Sequence, residues 1–390
     1  MDVAQTMPET VVLAVMPSIP LGGMERACIE IFRMLRDHGV RVVVLTQREH
    51  GDRVRQACLA HGLETIPVSV SCSLRFPRRP LELFRYFANW YLFIRQIARS
   101  CRHIRPNWIF ITNVTYFLYS WPILATANCK VIFRLPIPPD SPKGRVRAVV
   151  VRWLWRRLIT PLCTQIVCNS EFTLGRLLAT GARPRSVNIV HNVVPSRKNV
   201  SSRFALARED TRLRVTYIGR LTVNKGIREL FDAAVQIAKE RQDVDFYFAG
   251  DYQWQNPFAR KLIEKTNADG LQDRIIFLGE IDDVLGLLSS SDLHVLFSAE
   301  EAFGLTVLEA KSQGVPSIVS PGGALPELIT HLEDGYVCRS LTVTALRQGL
   351  DYFLNNADRR HQAGMAALKS MQRFETEFIG RQWAAALNLQ

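Results

Sequence analysis

Apolar runs and helix-spaced apolar repeats alternate along the first part of this chain. Residues 11–15 and 41–46 are largely apolar runs, typical of strands that are buried on both faces. Between them, residues 24–38 carry apolar side chains at helical spacing, and Gly39 follows as a helix stop. A strand, a helix and a second strand in this order predict two parallel strands joined by a right-handed crossover.

The same alternation continues to the end of the chain and predicts two α/β domains. Further strands are predicted at 108–112, 130–133, 165–168 and 187–190, and, after a polar segment, at 214–218, 244–249, 274–278, 293–297 and 317–319. Helical patterns occupy 226–239, 258–267, 283–289 and 304–313. We therefore expect two Rossmann-like, doubly wound domains at 1–195 and 211–371, a linker at 196–210, and a terminal helix within 372–390 that packs back on the first domain.

Composition agrees with a large globular protein. The chain has 390 residues, of which 47% are hydrophobic, which argues against disorder, collagen and a coiled coil. Because single cores stop growing at about 250–300 residues, this length favours two domains. The uncharged stretch at 106–129 is interrupted by Asn and Pro, so a buried strand, a loop and a short helix are expected there rather than a membrane span.

The cysteines and the first residues bear on the cellular compartment. Eight cysteines are scattered without a CxxC pair, which predicts reduced core thiols and no zinc site. Residues 1–9 carry Asp2 and Glu9 and no basic segment, so no signal peptide is expected. These features favour a cytoplasmic protein.

Charge is distributed unevenly. The first 200 residues contain 28 Lys and Arg against 11 Asp and Glu, whereas the remainder contains 21 against 25. Arginines alternate with Phe, Tyr and Trp at 75–105 and 143–157. Such a pattern predicts an amphipathic helix on an anionic membrane surface, at the inner face of the cytoplasmic membrane. Solvated arginines over core aromatics remain an alternative, and nucleic acid is disfavoured because no nucleic-acid-binding motif is present.

Two glycine-containing segments follow predicted strands and suit a bound phosphate. Gly22 and Gly23 come after the first strand, at the start of a helix, where free backbone N–H groups attract anions. Gly219-Arg220 ends the first strand of the second domain, and Lys225-Gly226 precedes the next helix. Two cations five positions apart suit the two phosphates of a diphosphate. A plain tight turn and solvated surface cations are the alternatives.

A third segment carries carboxylates. Residues 301–309 read EAFGLTVLE, follow the strand at 293–297 and open a helix. Glu301 and Glu309 are suited to accept hydrogen bonds from sugar and ribose hydroxyls, and Gly304 permits close backbone approach. Since the residues around Glu309 are apolar, this helix is expected to be mostly buried, and a buried carboxylate needs partners.

The segment 301–309, followed by Gly314-Val315-Pro316, resembles the E-x7-E signature of family 4 glycosyltransferases, which have the GT-B fold. Residues 219–226 resemble the phosphate motif of that family, and residues 22–26 resemble its glycine loop. The resemblance extends over nearly the whole chain, with looser motifs in the first half. It implies retaining transfer of a sugar from a nucleotide diphosphate sugar to a cell-envelope, polysaccharide or lipid-linked acceptor.

The resemblance also implies roles for individual residues. Arg220 and Lys225 would hold the donor diphosphate, and Glu309 would contact the ribose. Glu301 would contact the donor sugar, near the backbone N–H groups of Phe303, Gly304 and Leu305. Gly22, Gly23 and Gly219 would lie close to the donor. No metal or other cofactor is expected, because cations and helix N–H groups neutralise the leaving group, and Asp282-Asp283 reads as a helix cap.

The chain departs from the family where many members carry a histidine after the fifth strand. Here residues 133–140 contain none. Arg134 or His191 could replace it, although a structural ion pair is the expected role of Arg134. Two other functions therefore stay open, a nucleotide-sugar epimerase of the same fold and a non-catalytic nucleotide-sugar-binding protein. The donor base, the sugar, the acceptor, the linkage and the oligomeric state are not encoded in any recognisable pattern.

Overall fold

The computed structural model describes residues 10–18, 21–48, 52–69, 80–139, 145–194, 212–250 and 256–389. The chain forms two compact units, one made of Met1–Val193 with Thr376–Gln390 and the other of Val194–Glu375. The predicted linker at 196–210 lies outside the described residues. Each unit is built on one parallel sheet.

The first unit contains a seven-stranded sheet in the order β3-β2-β1-β4-β5-β6-β7. Every neighbouring pair is parallel, and the order reverses between β1 and β4. The strands are β1 (Val11–Val15), β2 (Arg41–Gln47), β3 (Glu64–Val68), β4 (Trp108–Ile111), β5 (Lys130–Leu135), β6 (Gln165–Cys168) and β7 (Val187–Ile189).

Helices cover both faces of this sheet. They are α1 (Gly23–Asp37), α2 (Arg53–Ala60), α3 (Pro80–Ile104), α4 (Val114–Thr126), α5 (Arg145–Leu154), a π-helical turn (Trp155–Ile159) continued by α6 (Thr160–Leu162), and α7 (Glu171–Ala179). Alternate residues of β1 enter two different cores, since Val12 and Ala14 pack with α1 whereas Leu13 and Val15 pack on the α3 and α4 side. Burial on both faces explains why the strands read as continuous apolar runs.

The second unit contains a six-stranded parallel sheet in the order β10-β9-β8-β11-β12-β13. Its strands are β8 (Leu213–Ile218), β9 (Val244–Ala249), β10 (Ile275–Gly279), β11 (Leu293–Leu296), β12 (Ser317–Val319) and β13 (Gly335–Val337). Its helices are α8 (Ile227–Glu240), α9 (Pro257–Ala268), α10 (Val284–Ser289), α11 (Leu305–Ser312), α12 (Val343–Leu354) and α13 (Ala357–Ser370).

The last helix, α14 (Thr376–Ala386), belongs to the first unit. Ile379 and Trp383 are 0% and 1% exposed and join the core beneath α1. The Trp383 ring lies 5.5 Å from that of Phe110 in β4. The polypeptide therefore begins the first unit, builds the whole second unit, and returns to complete the first.

The predicted doubly wound α/β class is confirmed by these two sheets. The edge strands β3 and β13 and the helices α12 and α13 were not predicted. The uncharged stretch at 106–129 forms β4 and the 13-residue helix α4. Within the described residues, no helix combines the length and apolar character needed to cross a membrane. The seven described cysteines are all free thiols, five of them buried, and Cys72 lies outside the described residues.

Candidate functional site

The strand order of the second sheet brings two of the predicted motifs together. The order reverses between β8 and β11, which are direct neighbours. The loop after β8 carries residues 219–226, and the loop after β11 carries residues 297–304. Both loops leave the carboxyl ends of their strands, and this position in open α/β sheets is where ligands bind.

Lys225 and Glu301 form an ion pair between these two loops. The Lys225 Nζ atom lies 2.5 Å from Glu301 Oε2, and both side chains are largely buried, with 18% and 19% exposure. The Ser298 hydroxyl donates a hydrogen bond of 3.3 Å to the same carboxylate oxygen. One residue predicted to bind phosphate and one predicted to bind sugar are therefore in direct contact with each other.

Backbone geometry fixes the position of Lys225. Val223–Lys225 forms one turn of 3-10 helix, in which the Lys225 N–H donates to the Thr222 carbonyl at 3.0 Å. Gly226 then adopts a left-handed conformation with φ of +66°. A Cβ at this position would lie 2.0 Å from the carbonyl oxygen of Phe297, which directly follows β11. Only glycine fits here, because both the backbone conformation and the contact exclude a side chain.

Glu301 is held from a third loop, which follows β12. The Ala324 N–H donates to the Glu301 carbonyl at 2.8 Å. Gly323 has φ of +69°, and a Cβ there would lie 2.1 Å from the same carbonyl oxygen. The Ser320 hydroxyl donates to the Ser298 carbonyl at 2.5 Å and so ties this loop to the one after β11. The loops after three neighbouring strands, β8, β11 and β12, thus position Glu301 through its side chain and its backbone.

Arg220 lies at the mouth of the loop after β8 and is exposed. Its carbonyl oxygen accepts a hydrogen bond of 3.0 Å from the Tyr217 hydroxyl. Burial, reinforced by the negative charge of Glu301 and opposed by Arg220, raises the pKa of Tyr217 well above its usual range. This phenol is therefore a neutral donor at physiological pH and a support of the loop that sequence reasoning missed, since Tyr217 reads as an ordinary strand aromatic.

The remaining part of the predicted carboxylate motif surrounds the start of α11. Phe303 is 3% exposed, Gly304 precedes the helix with φ of +102°, and Leu305 is its first residue. Glu309 lies in the second turn and is half-buried. The helix is anchored on its other side by a buried ion pair of 2.6 Å between Lys311 and Asp334.

Gly22 and Gly23 belong to the first unit, whereas the other predicted site residues belong to the second. Gly22 is the N-cap of α1, which follows β1 at the point where the first sheet reverses its order. The Gly22 N–H donates to Glu25 Oε2 at 3.2 Å, and the Ser18 hydroxyl donates to Glu25 Oε1 at 2.9 Å. A protein carboxylate therefore already contacts this glycine loop.

The predicted structural ion pair of Arg134 is wrong for the part of the chain that the structure describes. Arg134 is only 2% exposed and donates to Cys28 Sγ at 3.2 Å and to Asn192 Oδ1 at 2.7 Å, and no described carboxylate lies within ion-pair distance. Burial raises the pKa of the Cys28 thiol, although the charge of Arg134 opposes this. His191 lies half-buried two residues beyond β7.

Acidic side chains near the second sheet serve local structure. Asp283 accepts a hydrogen bond of 2.8 Å from the Gly286 N–H and caps α10, so the predicted cap is confirmed. Across the described ranges, no group of three or more His, Cys, Asp or Glu is arranged to hold a metal ion.

Two protein-family models match this chain. The model of glycosyl transferases group 1 matches residues 200–370, and that of glycosyltransferase family 4 matches residues 21–198. Together they span nearly the same residues as the two units. The chain therefore belongs to the family 4 glycosyltransferases.

Individual relatives agree with this assignment. The chain is 28% identical to N-acetyl-alpha-D-glucosaminyl L-malate synthase of Bacillus anthracis over 56% of its own length and 63% of that relative. It is also 28% identical to the lipopolysaccharide core mannosyltransferase LpsB of Rhizobium meliloti, over 55% of the chain and 62% of that relative. The matches thus span less than two thirds of these two relatives.

A solved structure matches over the full length. The crystal structure of HepE from Anabaena in complex with UDP and glucose superimposes with a TM-score of 0.80 at 18% identity, covering 98% of this chain and 100% of that one. At this identity the match establishes the fold alone, and the expected GT-B fold is confirmed.

Proposed function

We propose that this protein is a glycosyltransferase that takes its sugar from a nucleoside-diphosphate sugar. The observation that carries the proposal is the contact of Lys225 with Glu301 at the point where the second sheet reverses its order. A cation for the diphosphate and a carboxylate for the sugar hydroxyls stand side by side there, with Arg220 on the same loop as Lys225. Crystallised HepE in complex with UDP and glucose supports this choice of donor.

Each site residue has a defined part in this proposal. Arg220 and Lys225 bind the diphosphate, and Glu309 accepts hydrogen bonds from the ribose hydroxyls. Glu301 accepts from the donor sugar. The backbone N–H groups of Phe303, Gly304 and Leu305, at the start of α11, surround the sugar and phosphate, and Gly219 allows the backbone to approach the donor.

Transfer proceeds with retention of anomeric configuration in this proposal. The bond from the anomeric carbon to the β-phosphate oxygen breaks as the acceptor oxygen bonds to the same face of the sugar. The acceptor proton passes to the departing phosphate oxygen. Arg220 and Lys225 stabilise the negative charge that develops on the leaving diphosphate, which makes a metal ion unnecessary. A transfer rate unchanged by EDTA is the expected result.

The acceptor in this proposal is a glycan of the cell envelope or a lipid-linked sugar. LpsB, a relative of this chain, acts in lipopolysaccharide core biosynthesis. The helix α3 presents Phe84, Phe87 and Tyr91 to solvent, with 72%, 48% and 58% exposure. Arg85 and Arg95 are exposed on the same helix, and such a surface suits peripheral binding to the anionic inner face of the cytoplasmic membrane.

Vesicle binding tests the membrane part of this proposal. Vesicles rich in phosphatidylglycerol should bind the protein at low salt, and the double variant Phe84→Ser/Tyr91→Ser should bind them at least tenfold more weakly. Leu59→Ser, which changes an exposed leucine on α2, is the matched control. Equal binding of both variants and the native protein would contradict a role for α3.

Donor binding tests the central claim. A nucleotide sugar that binds the folded protein raises its melting temperature, so a panel of UDP-, GDP- and ADP-sugars identifies the donor. Lys225→Ala should abolish this shift and lower kcat/KM by roughly 100- to 1,000-fold. The control Lys239→Ala removes an exposed lysine of α8 that pairs with Asp269. If no nucleotide sugar shifts the melting temperature of the native protein, the proposed donor class is wrong.

The same samples separate the two other functions considered above. An epimerase would convert the donor alone into its epimer, which NMR of the sugar detects. A non-catalytic binding protein would bind the donor without hydrolysis or transfer. We expect slow donor hydrolysis without epimerisation, and its loss in Lys225→Ala.

A further inference from the structure

A cavity of about 350 Å³ opens in the first unit, and none of the described residues that line it is assigned to the donor. Phe133 and Leu135 of β5 line it, together with residues 136–139, which follow that strand, and Trp155 of the π-helical turn. The cavity therefore lies at the carboxyl ends of the strands, where open α/β sheets bind ligands. Its volume falls within the range of about 300–1,000 Å³ that small-molecule sites occupy.

The interior of this cavity is suited to hydrocarbon. Of the described residues that line it, only Asn113 and Thr115 have polar side chains. The Asn113 carboxamide oxygen already accepts a hydrogen bond of 2.9 Å from the Tyr116 N–H as the cap of α4. A ligand that enters here consequently meets apolar surface almost everywhere, which favours an aliphatic chain over a sugar or a nucleotide.

The helix that forms one wall also carries an apolar stripe on its outer face. Val146, Val149, Val150 and Trp153 are spaced i, i+3, i+4 and i+7 and are 80%, 59%, 49% and 57% exposed. Val151, on the same helix, lines the cavity instead. An exposed apolar stripe of this kind marks contact with a lipid or a partner rather than with water.

Cations border the stripe. Arg152, Arg156 and Arg157 are exposed on α5 and the π-helical turn, and in the described part of the chain none of them forms an ion pair. The residues between them, Leu154 and Trp155, line the cavity. An anionic group held by these guanidinium groups would therefore lie within one or two helical turns of the apolar interior.

We propose that this cavity binds the aliphatic chain of an amphiphilic acceptor whose phosphate contacts the arginines of α5 and the π-helical turn. The occupant is the acceptor lipid itself, a long alkyl or polyprenyl chain attached to a phosphate. Adsorption to a bilayer would cover the outer apolar stripe but would not place a ligand inside the cavity. The proposal rests on the proposed function, since it names the acceptor class of the same enzyme.

Calorimetry with decyl phosphate, kept below its aggregation concentration, tests this site in the full-length protein. We expect one bound decyl phosphate per chain and at least tenfold weaker binding by Val151→Trp, which fills the cavity. The double variant Arg156→Ser/Arg157→Ser should bind decyl phosphate at least fivefold more weakly and should bind decanol as tightly as the native protein does. Leu59→Trp, which changes an exposed residue outside the cavity, should bind both as the native protein does. No binding by the native protein, or unchanged binding by Val151→Trp, would overturn the proposal.

Two further measurements keep the interpretation unambiguous. Should Val151→Trp fail to fold, Ile137→Asp carries the same expectation, because Ile137 lines the cavity and is 60% exposed. Val151→Trp should still bind anionic vesicles, and an equal loss of vesicle and decyl phosphate binding would reduce the site to surface adsorption and so refute it. The nucleotide-sugar melting shift, measured on every variant, reports separately on the donor site, so failure of either proposal is visible without the other.

Discussion

Lys225 and Glu301, 76 residues apart in sequence, neutralise each other across two neighbouring loops of the second sheet. Their side chains are largely buried, so each removes part of the cost of burying the other. In the donor complex that we propose, a diphosphate that approaches Lys225 must share or displace the carboxylate. The ion pair therefore presets the position of the lysine and, at the same time, competes with the proposed donor for it.

Glu301→Gln separates these two effects. The neutral amide no longer competes for Lys225, so the nucleoside diphosphate product of the identified donor should bind about two- to fivefold more tightly. The amide oxygen of glutamine is a weaker hydrogen-bond acceptor for the sugar hydroxyls than the carboxylate, so kcat/KM for transfer should fall about 100-fold. Calorimetry measures the affinity for the nucleoside diphosphate, and initial rates give kcat/KM. A loss of affinity together with a loss of kcat/KM would contradict this division of roles.

Gly226→Ala should destabilise the second unit. The substitution combines a left-handed backbone with a Cβ placed 2.0 Å from the Phe297 carbonyl oxygen, so a loss of about 3 kcal/mol or more in unfolding free energy is expected. Gly270→Ala is the matched control, with φ of +68° and no heavy atom within 4 Å of its Cβ. It should cost about 1 kcal/mol. Denaturant unfolding measures both, and equal costs would exclude the contact as the cause.

Acid should weaken the second unit through His294. This side chain of β11 is fully buried, its Nδ1 lies 3.0 Å from the Ser317 hydroxyl, and its Nε2 has no hydrogen-bond partner among the described residues. Burial lowers the pKa of His294 from 6.5 to about 3. Between these values the unfolded chain binds the proton and the folded protein does not.

The free energy of unfolding is therefore not reduced by protonation of His294 above pH 6.5. As the pH falls from 6.5 toward 3, proton binding by the unfolded chain lowers it by about 1.4 kcal/mol per pH unit. His294→Leu removes this contribution. Its unfolding free energy should decline less steeply between pH 6 and pH 4 than that of the native protein, as measured by denaturant titration at each pH. Identical slopes would show that His294 accepts a proton in the folded state.

Trp383→Ala should destabilise the first unit although the residue lies near the end of the chain. Trp383 is 1% exposed and packs on Phe110 of β4, so its truncation is expected to cost about 3–5 kcal/mol. Phe378→Ala, at a residue of the same helix that is 49% exposed, should change stability by about 0.5 kcal/mol or less. Thermal unfolding compares the two variants, and similar small effects would contradict the role of α14 in this core.

The sequence predicts most central strands because parallel strands buried on both faces are continuous apolar runs. It does not predict β3, since Glu64–Val68 includes Pro67 and only Val68 is buried in this edge strand. The pair Lys225 and Glu301 could be proposed from strand-end placement and the family resemblance. Their contact with each other requires the order of β8 and β11, which no local pattern encodes.

The supporting residues around the site are harder to predict for a related reason. Tyr217 and Ser298 each act through one hydroxyl group. Their partners, Arg220 and Glu301, lie only three residues further along the chain, but the loop conformation that brings each pair into contact is not encoded in a local pattern. For Arg134, the residue type itself suggests the wrong kind of partner. An arginine inside a strand suggests an ion pair, whereas its described partners are the neutral side chains of Cys28 and Asn192. Hydrogen-bond partners across a sheet depend on tertiary packing, which is fixed only in the folded protein.

The return of α14 to the first unit gives the polypeptide a nested order of folding. The second unit is contiguous, so it can fold once residues 194–375 have emerged from the ribosome. The core beneath α1 must wait for Ile379 and Trp383, which follow the whole second unit in the chain. The unit whose strands are made first is thus completed only after the other unit has been made, and part of its apolar surface stays uncovered until then.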